Sequence, residues 1–432
     1  MSTPTESPTP VVTPVAPEPH DSMWKSIGLN VRGSAMMVAL LLSLLFFQLT
    51  TNGVMLKSLN VTNVFLQNGY ILVMALGMLL IIVIGNIDLS VGSVAGFLGA
   101  IVAVLMATYK MDPLLAVAIT LIAGGLIGVW QGWWVAYLRV PSFIVTLAGM
   151  LLFRGATLWM LGGQPIGPFD ESFRAISSGF FPEIIGKIPD PFGAVDIVLL
   201  SIGSTNIVIP LGGGDLSLTT LLLGLLLSAA LVFMNWRSRL QQLKYGFAVP
   251  SMGSFVGRNA LIVLGIMFIA YRLAGYKGLP IVALLAFALI GFYMFLTTRT
   301  VIGRRIYAVG GNAKAAMLSG VNSKRMVFFT FINMGVLSAL GGIIISARFN
   351  SATPKAGYGF ELDVIAATFV GGASAYGGVG TVAGTVIGAL FFGLLNIGMG
   401  IMSIPIDYQF MIKALVLLVA VYFDVSSKNK EG

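Results

Sequence analysis

An all-α integral membrane fold, a polytopic bundle of about 10 to 12 transmembrane helices, is predicted by two features of composition and one of pattern. Of the 432 residues, 57% are hydrophobic and only 9% charged, against roughly 25% charged residues in soluble domains. Mean hydropathy reaches +0.95. Apolar runs close to the ~20 residues needed to cross a bilayer recur from Ser34 to Phe423. They are continuous rather than alternating, and backbone groups in lipid must be satisfied internally, so helices are favoured over a β-barrel.

The runs fall at 34–50, 64–84, 91–108, 114–138, 142–162, 217–235, 259–275, 279–297, 327–346, 380–402 and 408–424. A shorter, glycine-interrupted stretch at 364–378 fits a half-span or a re-entrant turn. Residues 1–22, rich in Pro, Thr and Ser, read as a disordered cytoplasmic tail lacking the features of a signal peptide. A transmembrane domain is expected over 23–426, with 427–432 as a second cytoplasmic tail.

Charge in the connecting loops sets orientation. Residues 298–326 carry Arg299, Arg304, Arg305, Lys314, Lys324 and Arg325 and no acid, which assigns them to the cytoplasm. Residues 236–258 are likewise basic, and Lys25 and Arg32 precede the first span. Residues 163–216 hold six acids against Arg174 and Lys187 and read as an external loop whose middle, 193–211, is apolar enough to reach the interface. Both termini then lie in the cytoplasm, provided 364–378 counts as one crossing. The net charge of +9 therefore records topology and membrane-lipid contact, not nucleic-acid binding.

Chemistry-bearing residues are few. The chain has no cysteine, and its single histidine, His20, lies in the tail, so thiol chemistry is excluded and no cofactor or metal is expected on this chain. In GNIDLSVGS, Gly85 to Ser93, the polar Asn86, Asp88 and Ser90 stand between strongly apolar segments. An intramembrane carboxylate is a pathway candidate by default. Equally, Asp88 or Ser90 is positioned to cap the helix that starts near Val91. Arg154 lies deep in its segment and is a pathway or ion-pair candidate. Arg272 and Lys413, nearer to span ends, are expected to snorkel, and Trp133 and Trp134 to anchor at the interface beside Gln131. Glu361 and Asp363 read as solvated charges just outside a span. Recurrence of VGSVAG (91–96) as VGTVAG (379–384) fits either internal duplication or the general use of small residues in tight membrane packing.

The basic segment 303–325 suits a docking role. Ala313, Ala315, Ala316, Met317 and Leu318 are able to form a short helix started by Asn312 as N-cap and ended near Gly320, in which Met317 and Leu318 are flanked by Arg305, Lys314, Lys324 and Arg325. That pattern fits helix-in-groove recognition, and a solvated loop serving orientation alone fits it too.

GNIDLSVGS resembles the GGIDLSVG motif of the ribose, xylose and branched-chain amino acid permease family of ABC importers, departing from it at Asn86. Gly303 to Arg325 is similar to the segment of sugar permeases that docks onto the ATPase. FVGGASAYGGVGTVAG (369–384) and LLVAVYFDV (417–425) resemble the C-terminal half of xylose-type and multiple-monosaccharide permeases. The likeness covers about residues 30 to 426, and the material between the fifth span and residue 258 also resembles the xylose-type branch. The resemblance implies a non-enzymatic permease in the bacterial inner membrane. It further implies a homodimer of permease chains, an ABC ATPase partner that uses ATP and Mg, and a periplasmic sugar-binding protein. No G-x-x-x-x-G-K-[ST] sequence is present, so ATP hydrolysis falls to that separate chain. An ion-coupled secondary transporter with Asp88 as coupling carboxylate, and an ABC permease for branched-chain amino acids, are the alternative functions.

Overall fold

The computed structural model describes residues 31–191, 195–202, 205–211, 214–247 and 249–428. The tail expected at 1–22 and residues 429–432 lie outside the described residues. In chain order the first helices are α1 (Val31–Thr50), α2 (Ser58–Val83), α3 (Val91–Ala107), α4 (Pro113–Ala136) and α5 (Ser142–Leu161), then a short α6 (Glu171–Ser178). After the loop come α7 (Leu218–Lys244), α8 (Met252–Ala274), α9 (Ile281–Arg299), α10 (Val301–Gly311) and α11 (Ala313–Leu318). The last are α12 (Ser323–Phe349), α13 (Phe360–Val370), α14 (Val382–Ile401) and α15 (Ile406–Lys428).

Among the described residues eight helices, α2, α4, α5, α7, α8, α9, α12 and α14, are long and apolar enough to cross a membrane. Met36–Thr50 of α1 and all of α3 are shorter and apolar. Of the stretch expected at 364–378, residues 364–370 belong to an 11-residue helix, α13, about 16 Å long at 1.5 Å per residue and so about half a bilayer core, and 371–378 lie in the loop that follows.

Helices that are apolar all round cannot sort themselves by hydrophobicity, because lipid is as apolar as the neighbouring helix. Small residues decide instead. α12 packs against α2, α3 and α4, and its approach to α4 is backbone to backbone. A Cβ on Gly335 would overlap the Gly124 carbonyl, and one on Gly128 would overlap Phe331. α2 becomes the centre of the bundle, 89% of its apolar window being buried, against 11% for α8.

Between α5 and α7 the structure departs from the purely helical expectation. β1 (Lys187–Pro189) pairs antiparallel with β4 (Asp215–Ser217), and β2 (Val195–Ile202) with β3 (Thr205–Leu211). The β-branched runs VDIVLLSI and TNIVIPL favour strands; that signal lay inside what composition marked only as an apolar loop middle. The loop is tied down by Glu183, whose carboxylate accepts from the hydroxyl and amide of Thr219 and from the Gly186 amide. Burial raises its pKa slightly, but hydrogen bonds from Ser217, Thr219 and Gly186 outweigh this and hold it at about 2, below the ordinary 4.5. A depressed carboxyl pKa stabilises the fold fully above the unfolded value and loses that contribution as pH falls. The protection of the Ile184–Gly186 amides, taken relative to their intrinsic exchange rates, is therefore expected to hold above pH 4.5 and to fall as pH drops towards 2.

Two ends of the bundle can be told apart. At the basic end, α10 meets the loop after α13: Tyr307 Oη donates to Gly380 O at 2.7 Å, and Gly378 N donates to Val83 O at 2.8 Å. At the other end, Ile166 pairs with Ala352, and Phe169 N donates to Asn350 Oδ1 at 2.8 Å.

Candidate functional site

The polar motif between α2 and α3 folds as a turn. Asp88 is 2% exposed and Ser90 is fully buried. Ser90 N and Ser90 Oγ both donate to Asp88 Oδ1, at 2.8 and 2.6 Å. Gln131 Nε2 of α4 donates to Ser90 Oγ at 2.7 Å. The expected helix cap is thus corrected: Ser90 stands at the N-cap position without a side-chain cap bond, and Asp88 stabilises the turn two residues on, an Asx-type arrangement. Asn86 is half-buried, its amide closing the end of α2 on Ile81 O at 2.9 Å. α5 braces the turn from outside, with Ser142 Oγ accepting from Ile87 N at 3.3 Å.

Arg154, three turns further along α5, pairs with Glu361 of α13 at 3.0 Å. Its Nε donates to Ser93 Oγ of α3 at 3.1 Å, and its guanidinium lies 4.8 Å from the centre of the Tyr358 ring. The starts of α3 and α13 therefore meet around one ion pair. Gly357, at φ 81°, packs its backbone directly on Gly92, and Glu361 Oε2 has no hydrogen-bond partner among the described residues.

A second pair lies two residues along. Lys413 of α15 contacts Asp363 at 3.0 Å, with side chains 14% and 5% exposed. Asn396 Nδ2 of α14 donates to Asp363 Oδ2 at 3.5 Å and to Asn68 Oδ1 of α2 at 3.0 Å. This group borders a cavity of about 660 Å³ walled by α2, α12, α13, α14 and α15.

The reading of Glu361 and Asp363 as solvated loop charges is corrected: both are buried in the first turn of α13, each paired with a cation from another helix. Lys413 and Arg272 do not snorkel either. Lys413 turns inward to Asp363, and Arg272 is 1% exposed. The cost of an unpaired charge in an apolar bundle overrides the access to water that nearness to a span end offers. The signal was present as two acids and two cations beside apolar segments, but their pairing is not readable along the chain. Gln131, Asn68, Asn396 and Tyr358 were not singled out as site residues, and polar side chains inside long apolar runs were the available sign.

The basic segment forms as expected locally. Asn312 caps α11, its Oδ1 accepting from Ala315 N at 2.9 Å. Ala316 is buried, whereas Met317 and Leu318 are 62% and 87% exposed. Arg305, Lys314, Lys324 and Arg325 are exposed around them. Among the described residues no group of three or more His, Cys, Asp or Glu is arranged to hold a metal ion.

A bundle with eight long apolar helices, intramembrane ion pairs and a ligand-sized cavity defines a polytopic membrane transport protein. Similarity narrows the class. The family described as branched-chain amino acid transport system, permease component, matches residues 60–421, and the chain belongs to that family. It is accordingly the multi-pass inner-membrane permease component of an ABC importer, not its catalytic subunit. The chain is 38% identical over 402 residues to the xylose transport system permease protein of Escherichia coli (strain K12), covering 93% of this chain and 94% of that one. It is 36% identical over 408 residues to the protein of that description in Haemophilus influenzae (strain ATCC 51907 / DSM 11121 / KW20 / Rd), covering 94% and 100%. To the ribose import permease protein of Escherichia coli (strain K12) it is 33% identical over 365 residues, covering 84% and 85%. No solved structure matches the chain.

Proposed function

We propose that this permease translocates a monosaccharide of the pentose type, xylose or a related sugar. The observation that carries the reading is the 38% identity to a xylose permease over 93% of the chain. In this proposal two copies of the chain form a homodimer, a separate ABC ATPase hydrolyses ATP with Mg, and a periplasmic binding protein delivers the sugar. Asn86, Asp88, Ser90 and Arg154 belong to the pathway and its helix breaks. The occurrence of VGSVAG and VGTVAG at the starts of α3 and α14 supports an internal duplication.

Arg305, Asn312, Lys314, Met317, Leu318, Lys324 and Arg325 form the ATPase-docking surface. Exposed Met317 and Leu318 are the apolar anchors and the cations surround them, an arrangement suited to a partner groove with acidic rims. The contacts of α10 with Val83 and Gly380 offer a short route from that surface to α13. Replacing Met317 and Leu318 together by serine is expected to leave the thermal midpoint of the permease unchanged while abolishing co-purification of the ATPase and ATP-driven uptake.

The reading is tested by sugar uptake into proteoliposomes holding this permease, its ATPase and its binding protein. Xylose uptake that needs all three supports it; uptake by the permease alone, or of leucine in place of xylose, sinks it. In the same assay Asp88→Asn is expected to keep strict ATP dependence and to be indifferent to an imposed proton gradient, whereas an ion-coupled transporter would lose its coupling.

A further inference from the structure

We propose that the cavity bordered by Asp363 and Lys413 is a transit site for one uncharged, polyhydroxylated ring, an inference that rests on the sugar-importer reading above. Its volume of about 660 Å³ lies within the ~300–1,000 Å³ typical of small-molecule sites.

The polar atoms decide the ligand class. Asn396 Oδ1 is buried without a hydrogen-bond partner among the described residues, although the amide nitrogen of the same group is engaged by Asn68 and Asp363. That oxygen is closed off from the cavity, and the wall offers a further amide in Gln409, whose nitrogen is engaged by Ile404 O at 2.8 Å and whose oxygen is the acceptor left over. The Asp363 carboxylate adds acceptor sites, while Lys413 and Arg348, also in the wall, offer donors. Such a mixed set suits hydroxyl groups, each of which donates and accepts. A carboxylate only accepts, so a sugar acid would set an anion against Asp363 and the Gln409 amide oxygen. Asp363 already neutralises Lys413, which leaves Arg348 as the one cation of the wall outside that pair.

Aromatic rings supply the apolar complement. Phe410 lies across from Tyr358, centroids 6.4 Å apart and nearly perpendicular, and Phe360 packs on Tyr70 at 4.4 Å. All four rings line the cavity and present surface for the C–H face of a sugar ring. The wall also contains the first turn of α13, and the loop that follows the far end of that helix touches α10, so α13 runs between the site and the segment proposed to receive the ATPase stroke.

Absence of cysteine from the chain permits a direct test. Asn396→Cys and Gln409→Cys, both on the cavity wall, and Tyr109→Cys, exposed outside it, are made separately in the full-length permease. Each is assembled with its ATPase in membrane vesicles and labelled with a small methanethiosulfonate reagent. Xylose at about ten times its dissociation constant is expected to slow labelling of the two wall cysteines by roughly tenfold through simple occupancy, with no change at Tyr109→Cys. Protection by xylonate or leucine but not xylose overturns the ligand class. Failure of the reagent to label either wall cysteine, or no protection by xylose in a complex that imports xylose, overturns the site and leaves the importer reading intact. Protection by xylose in a complex that does not import it overturns the importer reading while the site stands.

Discussion

Replacing Lys413 by methionine is expected to destabilise the permease by about 3 to 5 kcal/mol, the usual cost of stranding one member of a buried ion pair. The pair is nearly dry, with Asp363 5% and Lys413 14% exposed, and among the described residues Asn396, at 3.5 Å, adds a further donor to that carboxylate. Methionine fills much of the space of the lysine stem, so lost packing contributes little and the effect isolates the charge. Restoring neutrality with Asp363→Asn in the same chain is expected to recover most of the loss, because replacing both partners of a buried pair is far cheaper than removing one. Denaturant unfolding of the single and double variants in detergent, followed by tryptophan fluorescence, measures both steps. A Lys413→Met chain as stable as the parent would show that Asp363 is solvated or neutral in the native protein.

Gly357→Ala is the second large effect. At φ 81° an alanine pays about 1 to 2 kcal/mol for the left-handed backbone. Its methyl group would also overlap the carbonyl oxygen of Gly92, and overpacking of this kind adds about 1 to 3 kcal/mol. Relief requires moving α3 away from the start of α13, which pulls Ser93 from Arg154 and disturbs the contact of Arg154 with Glu361. The expected result is a sum of about 2 to 5 kcal/mol, with uptake lost more completely than stability. Gly155→Ala provides the contrast: it sits in α5 with nothing within 4 Å of the added methyl, so a gain of about 0.5 to 1 kcal/mol from helix propensity is expected.

Several elements were legible along the chain. The apolar runs located the long helices, and Asn312 followed by AKAAML announced α11 with its cap, because spans and caps are properties of contiguous residues. The strand pairs between α5 and α7 were not recognised, since short β-branched runs and interfacial apolar loops look alike in composition. At GNIDLSVGS the partner of Asp88 is Ser90, within the turn between α2 and α3, and not the first free amides of α3.

Composition and local pattern by themselves determined that this is a helical membrane protein, since membrane insertion is decided segment by segment on hydrophobicity and flanking charge. Only the tertiary structure decided which charges meet. Arg154 and Glu361 are 207 residues apart in sequence and Lys413 and Asp363 are 50 apart. No local rule specifies those pairings. They follow from glycine-to-backbone approaches such as Gly335 on Gly124 and Gly357 on Gly92, which set how closely helices dock and so which buried charge finds which partner.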